Sequence, residues 1–292
     1  MFGILGNGQV GQHLAEAFDY MNLSNHLIGR KVDEKIEKYR ETDVVFDVSS
    51  AKPEELYSLS DKYDVLIYTS AYRDVNLCEK DPALADRINW LVPATLANFK
   101  PIIYISTDYV FGKLNTDYPR PITGKIGEGE DPDSKYFSGG APSVYGQSKR
   151  RGELAAINSG SVVVRIGSPF GKWKSPLRNS FIDSVHSNFD TMTLPRDQIV
   201  SPTYLPQAAE RIAMLATDMQ PGVYHAVCEG SASFMDIAAW VRSVIRSKAK
   251  VLGKYSDPVQ DRLRPNYAAL QNNKLPKLWH WAEAVDKYLR RA

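Results

Sequence analysis

The sequence predicts an α/β protein built on a doubly wound parallel sheet, with a smaller lobe toward the C-terminus. Three observations lead there. Strand-like and helix-like segments alternate through the first half of the chain. A glycine-rich turn, Gly6-Asn7-Gly8-Gln9-Val10-Gly11, stands between the first strand and the first helix. After Arg165 the alternation breaks down, and loops with isolated helices take over.

In order, Phe2–Leu5 is a short apolar strand, and residues 11–20 are a helix with Leu14, Ala15 and Phe18 on one face. Residues 26–28 and 43–46 give the next two strands, and 53–59 a helix that Pro53 suits as an opening residue. Val65–Tyr68 is a strand, 81–99 a long helix and 102–105 another strand. A helix through Tyr145 leads to a strand over 161–164. Such alternation covers a parallel sheet with helices on both faces. Beyond it, helices are expected over 181–185, 205–216, 234–247 and 279–291, with a strand over 222–227. The last helix carries Trp281, Ala282, Val285 and Leu289 at helical spacing. The segment 112–141 is long for a connection and rich in Gly, Pro, Asp and Ser, so it reads as either a substrate lid or a disordered excursion, with the lid favoured.

At 292 residues and a net charge of +2, with acids and bases interspersed, the chain offers neither a nucleic-acid surface nor a polybasic membrane anchor. Cys78 and Cys228 make no disulfide framework, and no Cys or His spacing suits a metal. No apolar run approaches the roughly 20 residues of a membrane span. Met1 leads straight into a strand without a leader pattern, and the expectation is a soluble cytoplasmic protein.

The glycine turn has the context a dinucleotide site needs. Gly6 permits the tight turn, Gly8 lets a pyrophosphate approach the backbone, and Gly11 lets helix and strand pack closely. The helix start at Gln9 and Val10 offers N–H groups and a positive dipole end to phosphates. The second strand runs into Gly29-Arg30-Lys31, with no acid before Asp33. A carboxylate there would hold a ribose 2′-hydroxyl, whereas Arg30 and Lys31 suit a 2′-phosphate. NADPH is therefore the expected cofactor, with NADH as the alternative. Asp47, next to Val48 at the end of the third strand, is placed to accept from the adenine amine.

Tyr145-Gly146-Gln147-Ser148-Lys149 sets a phenol and an ammonium one helical turn apart on a shared face. A free tyrosine, with pKa about 10, is a poor acid at neutral pH, so a neighbouring cation is a chemical requirement. Thr107, ending a run of β-formers, brings a hydroxyl to a strand end. The three together suit protonation of a carbonyl oxygen while a hydride reaches its carbon.

These residues resemble the extended short-chain dehydrogenases/reductases and, within them, the dTDP-4-dehydrorhamnose reductase family. The resemblance rests on Gly8-Gln9-Val10-Gly11, Ser70-Ala71-Tyr72 with Val75-Asn76 and Glu79, Asn89, Ser106-Thr107-Asp108-Tyr109-Val110-Phe111, and the string from Tyr145 to Lys149. It continues through Arg165, Asn179 and Phe181, Asp197-Gln198, Ser201-Pro202-Thr203, Gly222-Val223-Tyr224-His225, Arg264-Pro265 and Leu270.

The resemblance implies a Rossmann NADP-binding domain over 1–165, with 196–228 returning to it, and a substrate-binding lobe from 166–195 and 229–292. It implies Thr107, Tyr145 and Lys149 as the catalytic triad, and Ser70 and Ala71 along the nicotinamide. Tyr72, Asp108, Tyr109, Ser168 and Arg264 would face a nucleotide-sugar substrate. The implied reaction is NADPH-dependent reduction of the C4 ketone of a nucleotide-linked 4-keto-6-deoxysugar, foremost dTDP-4-dehydro-L-rhamnose. An epimerase/reductase acting on another nucleotide sugar and a non-catalytic NADP-binding regulatory subunit are the alternatives, and a homodimer is left open. The related dehydratases place an Asp-Glu pair after the strand-end threonine, and Asp108-Tyr109 here favours simple reduction. The chain also departs from the family pattern. Its glycine loop is one residue shorter and its Thr107-to-Tyr145 segment longer. Ser168 stands where the family has an indole, with Trp173 as a substitute nearby. His13 stands where some relatives carry a glutamate for a bridging magnesium, and no metal is expected.

Overall fold

The computed structural model describes residues 1–30, 40–114, 125–138, 140–172, 180–187, 190–257 and 259–291. Lys31, Asp33, Trp173 and Asn179, singled out above, lie outside the described residues, as does 115–124 of the long segment. The chain divides into two compact units. One comprises Met1–Thr107, Ser143–Arg165 and Leu205–Tyr224, and the other Asp108–Pro142, Ile166–Tyr204 and His225–Ala292.

The first unit is organised by a seven-stranded parallel sheet. Its strands include β1 (Phe2–Leu5), β2 (Asn25–Gly29), β3 (Val44–Val45), β4 (Val65–Tyr68) and β5 (Ile103–Thr107). Across the sheet the order is Gly222–His225, Val162–Ile166, β5, β4, β1, β2, β3. Ile4 of β1 faces Leu27 of β2 on one side and Ile67 of β4 on the other. Strand order therefore reverses direction at β1 and β4, and in such sheets the crevice beyond the carboxyl ends of those strands is the binding place. The predicted doubly wound α/β fold is the fold observed.

The helices of this unit are α1 (Gln9–Tyr20), α2 (Pro53–Asp61), α3 (Val75–Lys80), α4 (Pro82–Asp86), α5 (Val92–Phe99) and α6 (Val144–Asn158), together with Leu205–Asp218, which packs on α1. Pro53 opens α2 with Glu54 and Glu55 in its first turn, where carboxylates favour the positive dipole end. Leu5, Ile28, Leu56, Leu66, Tyr68, Leu96, Tyr104 and Val163 share one buried cluster. Val48, expected at the cofactor, packs in this same cluster.

Two local features differ from the sequence reading. The helix expected over 81–99 is interrupted by a π-helical turn, Arg87–Leu91, between α4 and α5. The short α3 was not anticipated, although Asp74 caps it by accepting from Asn76 N and Leu77 N, both at 3.0 Å.

The second unit has its own core, in which Phe170, Ile182, Tyr204, Ile237, Val241, Trp281 and Val285 are buried together. Its helices are Phe181–Ser187, Phe234–Val244 and Trp281–Arg291, and Tyr288 Oη donates to Asp183 Oδ1 at 2.7 Å between the first and last of them. Ser233 and Asp236 form a reciprocal capping box at the start of the middle helix. The strand expected over 222–227 ends at His225, and the helix expected over 234–247 ends at Val244.

The described part of the 112–141 segment is built into this unit. Lys113–Leu114 pairs antiparallel with Phe137–Ser138, and Ile126 bridges to Leu270. Ile126 and Phe137 are buried with Val110, Phe111, Val227 and Leu270. Ile126 and Phe137 thus give the described part of the segment an apolar anchor in this unit.

No helix among the described residues is long and apolar enough to cross a membrane. The described residues also hold no group of three or more His, Cys, Asp or Glu suited to a metal ion.

Candidate active site

The glycine turn follows β1 and opens α1, at the place where the strand order reverses. Gly6 has φ +134°, and a Cβ there would stand 2.4 Å from Thr69 Oγ1 and 2.6 Å from Ser70 N. That close approach lets the ends of β1 and β4 lock together. The amides of Thr69 and Ser70 both donate to Leu5 O at 2.9 Å, and Ser70 Oγ donates to the same carbonyl at 3.1 Å. A Cβ on Gly11 would lie 1.8 Å from Gly6 O, so the turn closes only over glycine.

Gly8 differs from both. No atom among the described residues lies within 4 Å of a Cβ added there, and no described side chain caps the start of α1. Gln9 is buried, yet its Nε2 has no hydrogen-bond partner among the described residues. An uncapped helix start, an open backbone at Gly8 and an unpaired amide donor fit a phosphate-bearing ligand.

The shortened loop is stiffened by Asn7, whose Nδ2 donates to Arg30 O and, at 2.9 Å, to Thr42 Oγ1. Arg30 itself is exposed beyond β2. Asp47 Oδ1 accepts from Ser49 Oγ at 2.7 Å and Ser49 N at 2.9 Å. The Ser49 hydroxyl, with a smaller pull from Arg30, holds the Asp47 carboxyl below its ordinary range. Ala71 is exposed and Ser70 half-buried at the end of β4. His13 is buried, with Nδ1 2.8 Å from Gln9 O.

Thr107 is the last residue of β5 and is buried. Ser143 caps α6 by accepting from Gly146 N at 3.2 Å, and Val144 N donates to Glu79 Oε1 at 2.7 Å. Tyr145, half-buried, therefore sits in the first turn, one turn before Lys149 on the same face. Lys149 is 2% exposed, and its Nζ donates to Ile105 O at 2.6 Å on the strand that ends in Thr107. Burial pushes the Lys149 ammonium down to about 7, with Glu153 pulling the other way.

Glu153, one further turn along α6, was not singled out from the sequence, although its spacing from Lys149 was a readable cue. It is fully buried and forms a two-pronged pair with Arg165, with Nε to Oε1 and Nη2 to Oε2 both 2.8 Å. Burial works against this carboxylate, but Arg165 and Arg150 hold it below the usual carboxylate range. Removing one partner strands the other charge in the interior, which costs about 3–5 kcal/mol. Glu153→Gln is expected to lose stability of that order in denaturant unfolding, and a variant as stable as the parent would remove this pair as a structural anchor of α6.

Asn89, on the π-helical turn, links two of the predicted segments. Its Nδ2 donates to Tyr72 O at 2.9 Å and to Ser148 Oγ at 3.0 Å, while Oδ1 accepts from Tyr72 N at 2.9 Å. The Tyr72 backbone and α6 are thereby held through one buried amide.

Among the residues predicted for substrate, the second unit brings Tyr109 and Arg264 together, with Arg264 Nη1 donating to Tyr109 Oη at 2.9 Å. Asp108 is buried where Gly167 leaves room, since a Cβ on Gly167 would lie 2.8 Å from Asp108 Oδ2. Ser168 is half-buried with φ +40°, a backbone state uncommon for a side-chain-bearing residue.

Residues 2–292 match the family model described as RmlD substrate binding domain. The chain is 30% identical over 243 residues to the dTDP-4-dehydrorhamnose reductase of Mycobacterium tuberculosis (strain ATCC 25618 / H37Rv), covering 76% of this chain and 75% of that protein. It is 26% identical over 239 residues to the dTDP-4-dehydrorhamnose reductase of Mycolicibacterium smegmatis, covering 76% and 69%. The crystal structure of dTDP-4-dehydrorhamnose reductase from Bacillus anthracis in complex with NADP has the same fold, with a TM-score of 0.78 at 23% identity over 100% of this chain and 99% of that one. The glycine turn, the Tyr145–Lys149 face and the end-to-end match agree: the chain belongs to the RmlD substrate-binding domain family.

Proposed function

We propose that the protein catalyses NADPH-dependent reduction of the C4 ketone of a nucleotide-linked 4-keto-6-deoxysugar, with dTDP-4-dehydro-L-rhamnose the first substrate to test. The observation that carries this reading is the face of α6, where Tyr145 lies one turn from the buried Lys149 ammonium, itself bonded to the strand that ends in Thr107. The relatives named dTDP-4-dehydrorhamnose reductase support the substrate class, and the NADP complex of the Bacillus anthracis enzyme supports the cofactor.

The bound nicotinamide supplies the hydride. Gly6, Gly8, Gln9, Val10 and Gly11 would hold the pyrophosphate at the start of α1, and Arg30 with Lys31 the 2′-phosphate. Asp47 and Val48 would lie at the adenine, Ser70 and Ala71 beside the nicotinamide. Tyr145 gives its phenolic proton to the ketone oxygen as charge develops there, and Thr107 donates a hydrogen bond to the same oxygen. Lys149 offsets the phenolate charge left on Tyr145. That charge exists only on the way to the alcohol, so donors fixed in advance favour the transition state over the bound ketone. Tyr72, Asp108, Tyr109, Ser168 and Arg264 are the proposed sugar-nucleotide contacts. A cytoplasmic location belongs to the same proposal, because reduction of an activated sugar draws on the NADPH pool there.

Two glycine variants separate folding from binding. Gly8→Ala meets open space and should fold normally while raising the NADPH Kd about tenfold or more, which is about 1.4 kcal/mol. Gly11→Ala drives a methyl into Gly6 O and should lose about 1–3 kcal/mol of stability. Titration calorimetry and denaturant unfolding read the two effects, and unchanged NADPH affinity in Gly8→Ala would count against the phosphate site.

A further inference from the structure

In an α-helix the carbonyl of residue i accepts the amide of residue i+4. For Asn89 that position is Pro93, which has no N–H. For Ile88 it is Val92, whose amide goes instead to Arg87 O across the π-helical turn. Two successive carbonyls are thus left without their helical donors. Two buried tyrosines from neighbouring strands take them up: Tyr68 Oη donates to Ile88 O and Tyr104 Oη to Asn89 O, both at 2.6 Å. The two rings stack with centroids 6.1 Å apart and planes 20° apart.

The face of the Tyr104 ring lies under the catalytic helix, with Lys149 Nζ 4.0 Å from its centroid. Helix α6 reaches this depth because residue 152 is glycine. A Cβ there would lie 2.3 Å from Asn89 O and 2.4 Å from Tyr104 Oη. Among the described residues the Lys149 ammonium thus meets a carbonyl, Ile105 O, and an aromatic face, that of Tyr104.

We propose that Tyr104 is a positioning residue for Lys149: the ring face holds the ammonium, and the hydroxyl, anchored on the carbonyl that the π-helical turn and Pro93 expose, holds the ring. Buried cations are drawn to such faces, and a face that favours the charged form raises the proton affinity of the amine. Tyr104 thus offsets part of the burial that depresses Lys149. Its own phenol is held well above the ordinary range, first by burial and then by Glu153, Tyr68 and Tyr145, so it stays neutral and keeps its donor bond.

Other charged groups around Lys149 are accounted for. Glu153 favours the ammonium from α6 but is itself satisfied by Arg165 and Arg150. Tyr145 lies a turn earlier on α6, and Tyr68 lies behind Tyr104 on β4. Glu79 on α3 takes the Val144 amide, and Asp86 on α4 pairs with Arg151 at 2.7 Å.

The inference rests on the reductase reading for its consequence, but its test does not. Tyr104→Phe keeps the ring and loses the anchor; Tyr104→Leu loses both, and Tyr104→Met serves if the leucine variant fails to fold. The titration of Lys149 is followed in the full chain by NMR with isotope-labelled lysine, its signal assigned by its disappearance in Lys149→Met. The alkaline limb of kcat/KM with NADPH and a dTDP-4-keto sugar is measured in parallel. Leucine or methionine at 104 should lower the Lys149 midpoint and the alkaline limb by about one pH unit, an approximately tenfold lower ammonium-to-amine ratio at a given pH, while phenylalanine, which keeps the face but frees the ring, gives a smaller shift of both in the same direction. Parent-like midpoints in the leucine and methionine variants, or equal shifts in all three, would overturn the proposal. A shifted midpoint in a protein that turns over no keto sugar would sustain it and remove the reductase reading instead.

Discussion

Tyr145→Phe is expected to lower kcat by roughly 10²–10⁴-fold with NADPH affinity unchanged. The substitution deletes one hydroxyl from the first turn of α6 and leaves the helix cap, the Glu79 contact and the Lys149 bond to Ile105 O in place. The lost atom is the one assigned to hand a proton to the ketone oxygen. If the phenol only lined the cleft, the defect would fall on KM. A fall in kcat with an unaltered Kd for NADPH, measured by cofactor fluorescence, separates those cases. Parent-like kcat would remove Tyr145 as the acid.

Lys149→Met is expected to abolish turnover and to change how stability depends on pH. In the folded protein, burial pushes the lysine down to about 7. In the unfolded chain it titrates near its reference value of about 10.4. Between those two values the unfolded state binds more protons, so this residue makes stability rise with pH through that window. Below about pH 7 the folded ammonium is charged and its burial penalty is fully present. The methionine variant carries no such penalty. Its stability relative to the parent should therefore be about 2–3 kcal/mol more favourable at pH 6 than at pH 9, superimposed on a constant loss from the unpaired Ile105 carbonyl. Denaturant unfolding of the cofactor-free protein at the two pH values measures it. A difference that does not change with pH would mean that Lys149 keeps an ordinary proton affinity in the fold.

The parts of the site that were legible in the sequence are contiguous. Gly6 to Gly11 carries its own turn geometry, and Tyr145 with Lys149 is fixed by helical spacing alone. Buried parallel strands such as β4 and β5 show as apolar runs, so the sheet could be read in order. Features that depend on distant partners could not. Ile126 looks like one apolar residue in a polar loop until its partner Leu270 is known. The burial of the Val48 side chain in the core likewise depends on residues far from it in the chain.

The helix over 81–99 shows a third kind of limit. A π-helical turn adds one residue to a single turn, a phase shift too small to stand out in an apolar segment of this length, and only Pro93 hints that a carbonyl behind it needs another donor. Tyr104 reads as an ordinary β-former in Ile103-Tyr104-Ile105. Its link to Asn89 O and Lys149 exists only after β5, the π-helical turn and α6 have packed.

Isotope transfer tests the assigned reaction most directly. The protein is incubated with dTDP-4-dehydro-L-rhamnose and NADPH deuterated on the transferable position of the nicotinamide, and the sugar nucleotide is analysed by mass spectrometry and NMR. Reduction at the face of Tyr145 predicts a dTDP-6-deoxyhexose carrying deuterium at C4 and an exchangeable proton on the new hydroxyl. A product of unchanged mass, or one labelled at another carbon, would contradict it.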